Sequence, residues 1–233
     1  MRLRVGTSGY QYKEWKGPFY PEDMKEAGML AYYAERLDAC EINNTFYRMP
    51  TPANVRKWAE QTPDSFRFCL KAPQKITHHK RLADAGEDTA FFVASARELG
   101  GKLGPSLFQL PPYLKKGADR LREFLSLLPE GFPAAFEFRH DSWFDEETYG
   151  ILRERGVALV IAEDEEKAAP LVPTAPFGYL RLRRPDYGDE ELAAWAGKVR
   201  AQPWGEAHVF FKHEDAGAGP RLAARFRELF GRD

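Results

Sequence analysis

Two glutamates, Glu41 and Glu137, lie in apolar runs that read as β-strands and end in dense polar and aromatic clusters. The first run is Ala39-Cys40-Glu41-Ile42, followed by Asn43-Asn44-Thr45-Phe46-Tyr47; the second is Ala134-Ala135-Phe136-Glu137-Phe138, followed by Arg139-His140-Asp141-Ser142-Trp143. A carboxylate inside a strand is costly to bury unless cations or hydrogen-bond donors pair with it. Side chains alternate along a strand, so Glu137 shares a face with Arg139, Glu41 with Asn43, and Cys69 with Lys71. The same count groups Tyr179, Arg181 and Arg183, and turns Phe136 and Phe138 the other way, toward covering helices. Carboxylates beside cations can serve as general acid or base while the cations stabilise developing negative charge. Apolar surroundings raise a carboxyl pKa and a neighbouring arginine lowers it, so the balance between them sets the roles.

The elements that must position these groups alternate along the chain. Apolar runs begin at Leu3, Ala39, Phe66, Ser106, Ala134, Ala158, Gly178 and Ala207. Between them helical spacing recurs, as in Leu30, Tyr33, Ala34 and Leu37, or Leu121, Phe124, Leu125 and Leu128. After the sixth run Pro170, Pro173 and Pro176 interrupt the segment that should hold a helix, so that helix is expected to be missing or reduced. Near-continuous apolar strands alternating with helices suit a parallel sheet covered on its outside. Eight such units close most simply into one α/β domain over residues 1–233, a (β/α)8 barrel like that of a TIM barrel. An open doubly wound sheet is the competing solution, but no glycine-rich phosphate fingerprint follows the first strand.

A barrel keeps its functional groups at the C-terminal strand ends. The expected catalytic set is Glu41, Glu137, Arg139 and Lys71. Around it the expected ligand-binding set is Thr7, Ser8, Tyr10, Asn43, Thr45, Tyr47, His78, Gln109, His140, Trp143, Arg181 and Lys212. The basic loop from Lys75 to Arg81 reads either as a solvated segment or as a phosphate clamp. Tyr10, Trp15, Phe46, Tyr47 and Trp143 could pack loops or hold a sugar or base.

Bulk properties narrow the partners. The formal charge of −1 over 233 residues gives no global field toward nucleic acid or anionic membrane. No apolar run is long enough to span a bilayer and no signal peptide is visible ahead of the first strand, so a cytoplasmic protein is expected. Cys40 and Cys69, each in a strand, are expected to be reduced packing residues. The His78-His79 pair could suggest a metal, but five scattered histidines without matched ligand spacing make a metal site the less favoured reading, and the choice of cofactor is left open. Ser8 has no Gly-x-Ser-x-Gly turn around it, which sets aside a hydrolase triad.

Several of these stretches carry a family resemblance. Gly6-Thr7-Ser8-Gly9-Tyr10 with Trp15, Gly17 and Phe19-Tyr20-Pro21, then Glu41-Ile42-Asn43-Asn44-Thr45-Phe46-Tyr47, resemble the YecE-like family, domain of unknown function seventy-two. Ile76-Thr77-His78, Arg81-Leu82, Phe108-Gln109-Leu110-Pro111-Pro112 and Glu137-Phe138-Arg139-His140-Asp141-Ser142-Trp143 resemble its further motifs, in order along nearly the whole chain. The resemblance implies a TIM-barrel-like fold and supplies no established activity. Arg183-Arg184 stands where many members have His-Gly, and Phe211-Lys212-His213 where many have Phe-Asn-Asn, which makes that side of the mouth more basic. Three function classes follow: an enzyme acting on a small anionic or polyol ligand, a nucleic-acid binder or repair-type nuclease, and a non-catalytic ligand sensor. The first is preferred; near-neutral charge and the lack of a metal cluster weigh against the second.

Overall fold

The computed structural model describes residues 1–166 and 168–231. Its strands are β1 (Arg2–Ser8), β2 (Ala39–Ile42), β3 (Arg67–Leu70), β4 (Ser106–Gln109), β5 (Ala134–Glu137), β6 (Ala158–Glu163), β7 (Phe177–Leu182) and β8 (Glu206–Phe211). They form one parallel sheet in the order β3-β2-β1-β8-β7-β6-β5-β4. Two isolated parallel bridges, Phe68 to Leu103 and Lys71 to Leu107, join the remaining edges and nearly close the barrel. The expected TIM-barrel-like α/β fold is therefore the observed one.

The helices are α1 (Glu26–Ala34), the single turn α2 (Asn44–Tyr47), α3 (Pro52–Glu60), α4 (Gly86–Arg97), α5 (Ala118–Ser126), α6 (Glu146–Glu154), α7 (Asp189–Arg200) and α8 (Ala218–Phe230). Their starts obey local chemistry. Thr51 Oγ1 accepts from the Asn54 N–H at 3.3 Å with Pro52 opening α3, and Asp145 Oδ1 accepts from the Thr148 N–H at 2.9 Å to open α6. Among the described residues no helix joins β6 to β7, as the prolines require. Instead Thr174 Oγ1 accepts from the Leu159 N–H and donates to the Val157 carbonyl, both at 2.7 Å, and so anchors the irregular crossover to the start of β6.

Strand parity divides the core in two. Outward residues pack under the helices: Phe108 and Phe136 stack at 5.1 Å, and Phe124 of α5 meets Phe108 edge-on at 5.4 Å. Inward residues form a small separate cluster that includes Ala39, Cys69, Leu107, Ala135, Val160, Tyr179 and Phe210. Cys40 belongs to the outer core and Cys69 to the inner one, so the two buried free thiols occupy opposite faces of the sheet. Gly6 permits the closest approach in this region. A Cβ there would stand 1.8 Å from the Ala39 carbonyl oxygen, where the Tyr33 hydroxyl of α1 also bonds Ala39 O (2.9 Å) and the Thr7 N–H (2.8 Å).

Candidate functional site

The upper interior of the barrel is organised by one arginine. Arg181 on β7 projects across the barrel, its Nη2 2.8 Å from Glu41 Oε1 and its Nη1 2.6 Å from Glu137 Oε2. All three side chains are buried. Each carboxylate collects further donors from its neighbours. Glu41 accepts from Ser8 Oγ (2.7 Å), Tyr179 Oη (2.7 Å) and Asn43 Nδ2 (3.1 Å). Glu137 accepts from Gln109 Nε2 (2.8 Å) and Arg139 Nε (3.2 Å), with Arg183 Nη2 at 3.5 Å. Register explains the Ser8 and Gln109 bonds, since Ser8 lies opposite Glu41 and Gln109 opposite Glu137 on adjoining strands.

Electrostatics follow from this geometry. Burial by itself would raise both carboxyl pKa values. For Glu41 the Arg181 charge and the Ser8, Tyr179 and Arg181 hydrogen bonds outweigh burial and lower it. For Glu137 burial is outweighed by Arg181, Arg183 and Arg139, which hold it well below the ordinary range. Arg181 is pushed the opposite way: burial acts against its charge, but Glu41 and Glu137 raise its pKa. Both glutamates are therefore ionised at neutral pH.

Above the pair a cavity of about 210 Å³ opens, with Glu137 at its floor and Arg139, Arg183, Asp164, Phe138 and Phe144 among its walls. Arg139 remains 38% exposed and Arg183 14% exposed. The Nε of Arg183 and that of Arg181 are buried without a hydrogen-bond partner. Lys71 stands at the end of β3 with Nζ 4.2 Å over the Phe46 ring, and His78 meets the same ring edge-on at 4.9 Å. Burial first, then Arg181, lowers the Lys71 pKa from 10.5 to about 8. Burial, then Lys71 and Arg139, lowers that of His78. Among the described residues no group of three or more His, Cys, Asp or Glu is placed to hold a metal ion.

A family model described as a protein of unknown function, DUF72, matches residues 4–233. The chain belongs to the DUF72 family. It is 34% identical to UPF0759 protein YecE of Escherichia coli (strain K12) over 140 residues, 58% of this chain and 52% of YecE. It is 30% identical to UPF0759 protein YunF of Bacillus subtilis (strain 168) over 185 residues, 74% of this chain and 64% of YunF. The match thus spans about half the length of YecE and less than two thirds of YunF. A solved DUF72 family protein of Thermotoga maritima superposes with a TM-score of 0.84 at 29% identity, covering 98% of this chain and 99% of that one. One from Enterococcus faecalis, at 19% identity, gives 0.81 over 99% and 96% and bears on the fold alone.

In this DUF72 barrel the expected catalytic residues Glu41, Glu137, Arg139 and Lys71 converge on the mouth, joined by Ser8, Asn43, Gln109, His78 and Arg181. Other candidates are turned elsewhere. Thr7 faces outward, bonded to Gly9 O (2.6 Å) and Tyr33 Oη (2.8 Å), because it adjoins the inward-pointing Ser8. Tyr10 packs 6.2 Å from Tyr33. Thr45 Oγ1 donates to Ile42 O (2.9 Å) and Lys71 O (2.7 Å), tying α2 to the ends of β2 and β3. Trp143 is buried on Phe138 at 4.6 Å with its indole N–H on Leu114 O (2.7 Å), and His140 caps the following turn through Ser142. Tyr47 is 76% exposed, and Lys212 is also exposed. The basic loop folds into a wide helical turn, Lys75–His79, in which Lys75 (2.8 Å) and Lys80 (2.9 Å) pair with Asp88. Arg183 and Asp164, expected at the strand ends but outside the binding set, line the cavity, and Tyr179, which shares the inward face of Arg181 by parity, bonds Glu41. Inside the barrel Cys69 Sγ lies 3.8 Å from His208 Nδ1, whose Nε2 is 3.5 Å from Glu206. Burial first, then Glu41, raises that thiol far above its ordinary pKa, so it serves packing.

Proposed function

We propose that the mouth of this barrel binds a small molecule through an anionic group, a carboxylate or a phosphate. The observation that carries this reading is the unequal sharing of Glu137. Arg181 takes its Oε2 at 2.6 Å, leaving Arg139 (3.2 Å) and Arg183 (3.5 Å) to share Oε1 with Gln109 Nε2 (2.8 Å). Arg183 lies 3.9 Å from Asp164 and keeps a buried Nε without a partner beside the open cavity. Guanidinium groups with spare donors in a low-dielectric cleft are suited to a planar or tetrahedral oxyanion. The cavity is too small for a large ligand, which favours a compact metabolite.

In this reading Glu41 and Glu137 fix the arginines in place. Their lowered pKa values make them poor proton donors at neutral pH and weak bases, so acid or base work by carboxylates is the less favoured version of the site. Titration calorimetry and melting curves with inorganic phosphate, small mono- and dicarboxylates and a neutral polyol test the proposal. Saturable binding of an anion, lost in Arg183→Met and Arg139→Met and absent for the polyol, is expected. Binding that both variants retain, or no response to any anion, overturns it. Oligonucleotide binding that outcompetes the anions and falls steeply with salt would favour the nucleic-acid reading instead.

A further inference from the structure

Lys71 is held differently from the other lysines around it. Lys75 and Lys80 pair with Asp88, Lys116 pairs with Asp145 and Glu147, and Lys102 bonds two backbone carbonyls. Among the described residues Lys71 makes no ion pair, because the nearest carboxylates are committed to Arg181. Its backbone is fixed on both sides: its N–H donates to Ile42 O at 3.1 Å, and its carbonyl accepts from Thr45 Oγ1 at 2.7 Å. Its ammonium end rests on an aromatic face, 4.2 Å above Phe46, in the field of Arg181 and Arg139. A half-buried amine without a counter-ion and beside fixed cations is an arrangement that makes lysine nucleophilic.

We propose that Lys71 is a covalent catalytic residue, whose amine forms an imine with the carbonyl carbon of a small anionic aldehyde or ketone such as a 2-oxo acid. The substrate class rests on the anion-binding reading above: Arg139 and Arg183 line the cavity and would take the carboxylate, and Arg139 and Glu137 lie close enough to Lys71 to act on its charge, so a carbonyl next to that carboxylate would be presented toward the amine. With its pKa lowered to about 8, Lys71 offers on the order of several hundred times more neutral amine at neutral pH than an unperturbed lysine. The amine's lone pair forms the C–N bond while the carbonyl π pair moves to oxygen. One proton passes from nitrogen to that oxygen, and a second arrives from solvent. The oxygen then leaves as water, and the iminium keeps the positive charge. His78 is the group placed to relay the second proton. Thr77 Oγ1 holds its Nδ1 at 2.9 Å, its Nε2 has no hydrogen bond among the described residues, and its lowered pKa keeps the ring neutral.

Reductive trapping tests this on the whole chain. The protein is incubated with pyruvate, glyoxylate or 2-oxoglutarate, or with the neutral carbonyl dihydroxyacetone, in the presence of cyanoborohydride, and labelled lysines are located by peptide mass mapping. The expected result is preferential labelling of Lys71 by at least one 2-oxo acid, at a rate that rises with pH toward about 8 as the amine deprotonates. Arg183→Met should cut 2-oxo acid labelling at least tenfold and lower dihydroxyacetone labelling far less. Lys71→Arg should lose the label at this position; the map of the unmutated protein decides the matter even if that variant folds poorly. Labelling of Lys71 no faster than of surface lysines overturns the imine proposal, and the anion site then stands or falls by calorimetry alone. Fast labelling of Lys71 by dihydroxyacetone without binding of any anion sinks the anion reading and retains the reactive amine.

Discussion

Replacing Arg181 by methionine removes the cation on which Glu41 and Glu137 both depend. Breaking a buried ion pair by deleting one partner costs about 3–5 kcal/mol, because the remaining charge stays buried. Two carboxylates lose their partner here, but unequally. Glu137 keeps Arg139 at 3.2 Å and Arg183 at 3.5 Å, whereas Glu41 keeps hydrogen bonds only from the neutral donors Ser8, Tyr179 and Asn43, with the Lys71 charge farther off than an ion pair. Glu41 should therefore take up a proton, and the cost should stay near the single-pair range of about 3–5 kcal/mol at pH 7.5. The pH dependence has a definite sign. In the unmutated protein both folded carboxyl pKa values are depressed, so their stabilisation is present above the unfolded values and fades as pH falls. In the variant the folded Glu41 pKa lies above its unfolded value, so protonation stabilises the fold as pH falls. The gap between the two proteins must narrow from pH 7.5 toward pH 4.5 in urea denaturation. Adding Glu41→Gln to Arg181→Met should recover most of the loss, and adding Glu137→Gln should not. A cost below about 1 kcal/mol, well short of a buried pair, would refute the reasoning. So would a gap independent of pH, or rescue by Glu137→Gln instead.

Lys71→Met should stabilise the protein at pH 7, since a charged amine is held where burial disfavours it. The shift from 10.5 to about 8 corresponds to on the order of 3 kcal/mol, less about 0.5–1 kcal/mol for the lost contact with Phe46. The penalty in the unmutated protein is complete below about pH 8 and disappears as pH rises to 10.5, so the advantage must shrink over that interval in denaturation curves. Gly6→Ala should cost about 3 kcal/mol or more in the same assay, because its Cβ would meet the Ala39 carbonyl at 1.8 Å. Thiol titration of protein denatured without reductant should find both Cys40 and Cys69 free; a bridge between them contradicts their placement on opposite faces of the sheet.

Much of the barrel was legible in the chain because two local periods carry it. Alternation of period two places Glu41, Glu137, Lys71 and Arg181 inside and Phe108 and Phe136 outside, and the prolines after β6 forbid a helix there. The same alternation contradicts the joint assignment of Thr7 and Ser8 to one pocket, since adjacent strand residues point to opposite faces. It also groups Tyr179 and Arg183 with Arg181, although only Arg181 was assigned to the binding set.

Past the strand ends that rule lapses. The directions of Tyr10, Tyr47, His140 and Trp143 depend on loop backbone and on what each ring can pack against, such as Phe138 beneath Trp143. Strands two and five on roughly opposite sides of a barrel let Glu41 and Glu137 face each other with cations between them, but which cation joins them was not legible. Arg181 lies 140 residues from Glu41 and 44 from Glu137, and no local pattern says that one guanidinium spans both. The direction of the carboxyl pKa shifts followed from that contact. Burial and a neighbouring cation oppose each other, and only the distances across the barrel, 2.6 and 2.8 Å, decide that the cation prevails. Chain order set which face each charge occupies; closure of the sheet set which charges meet.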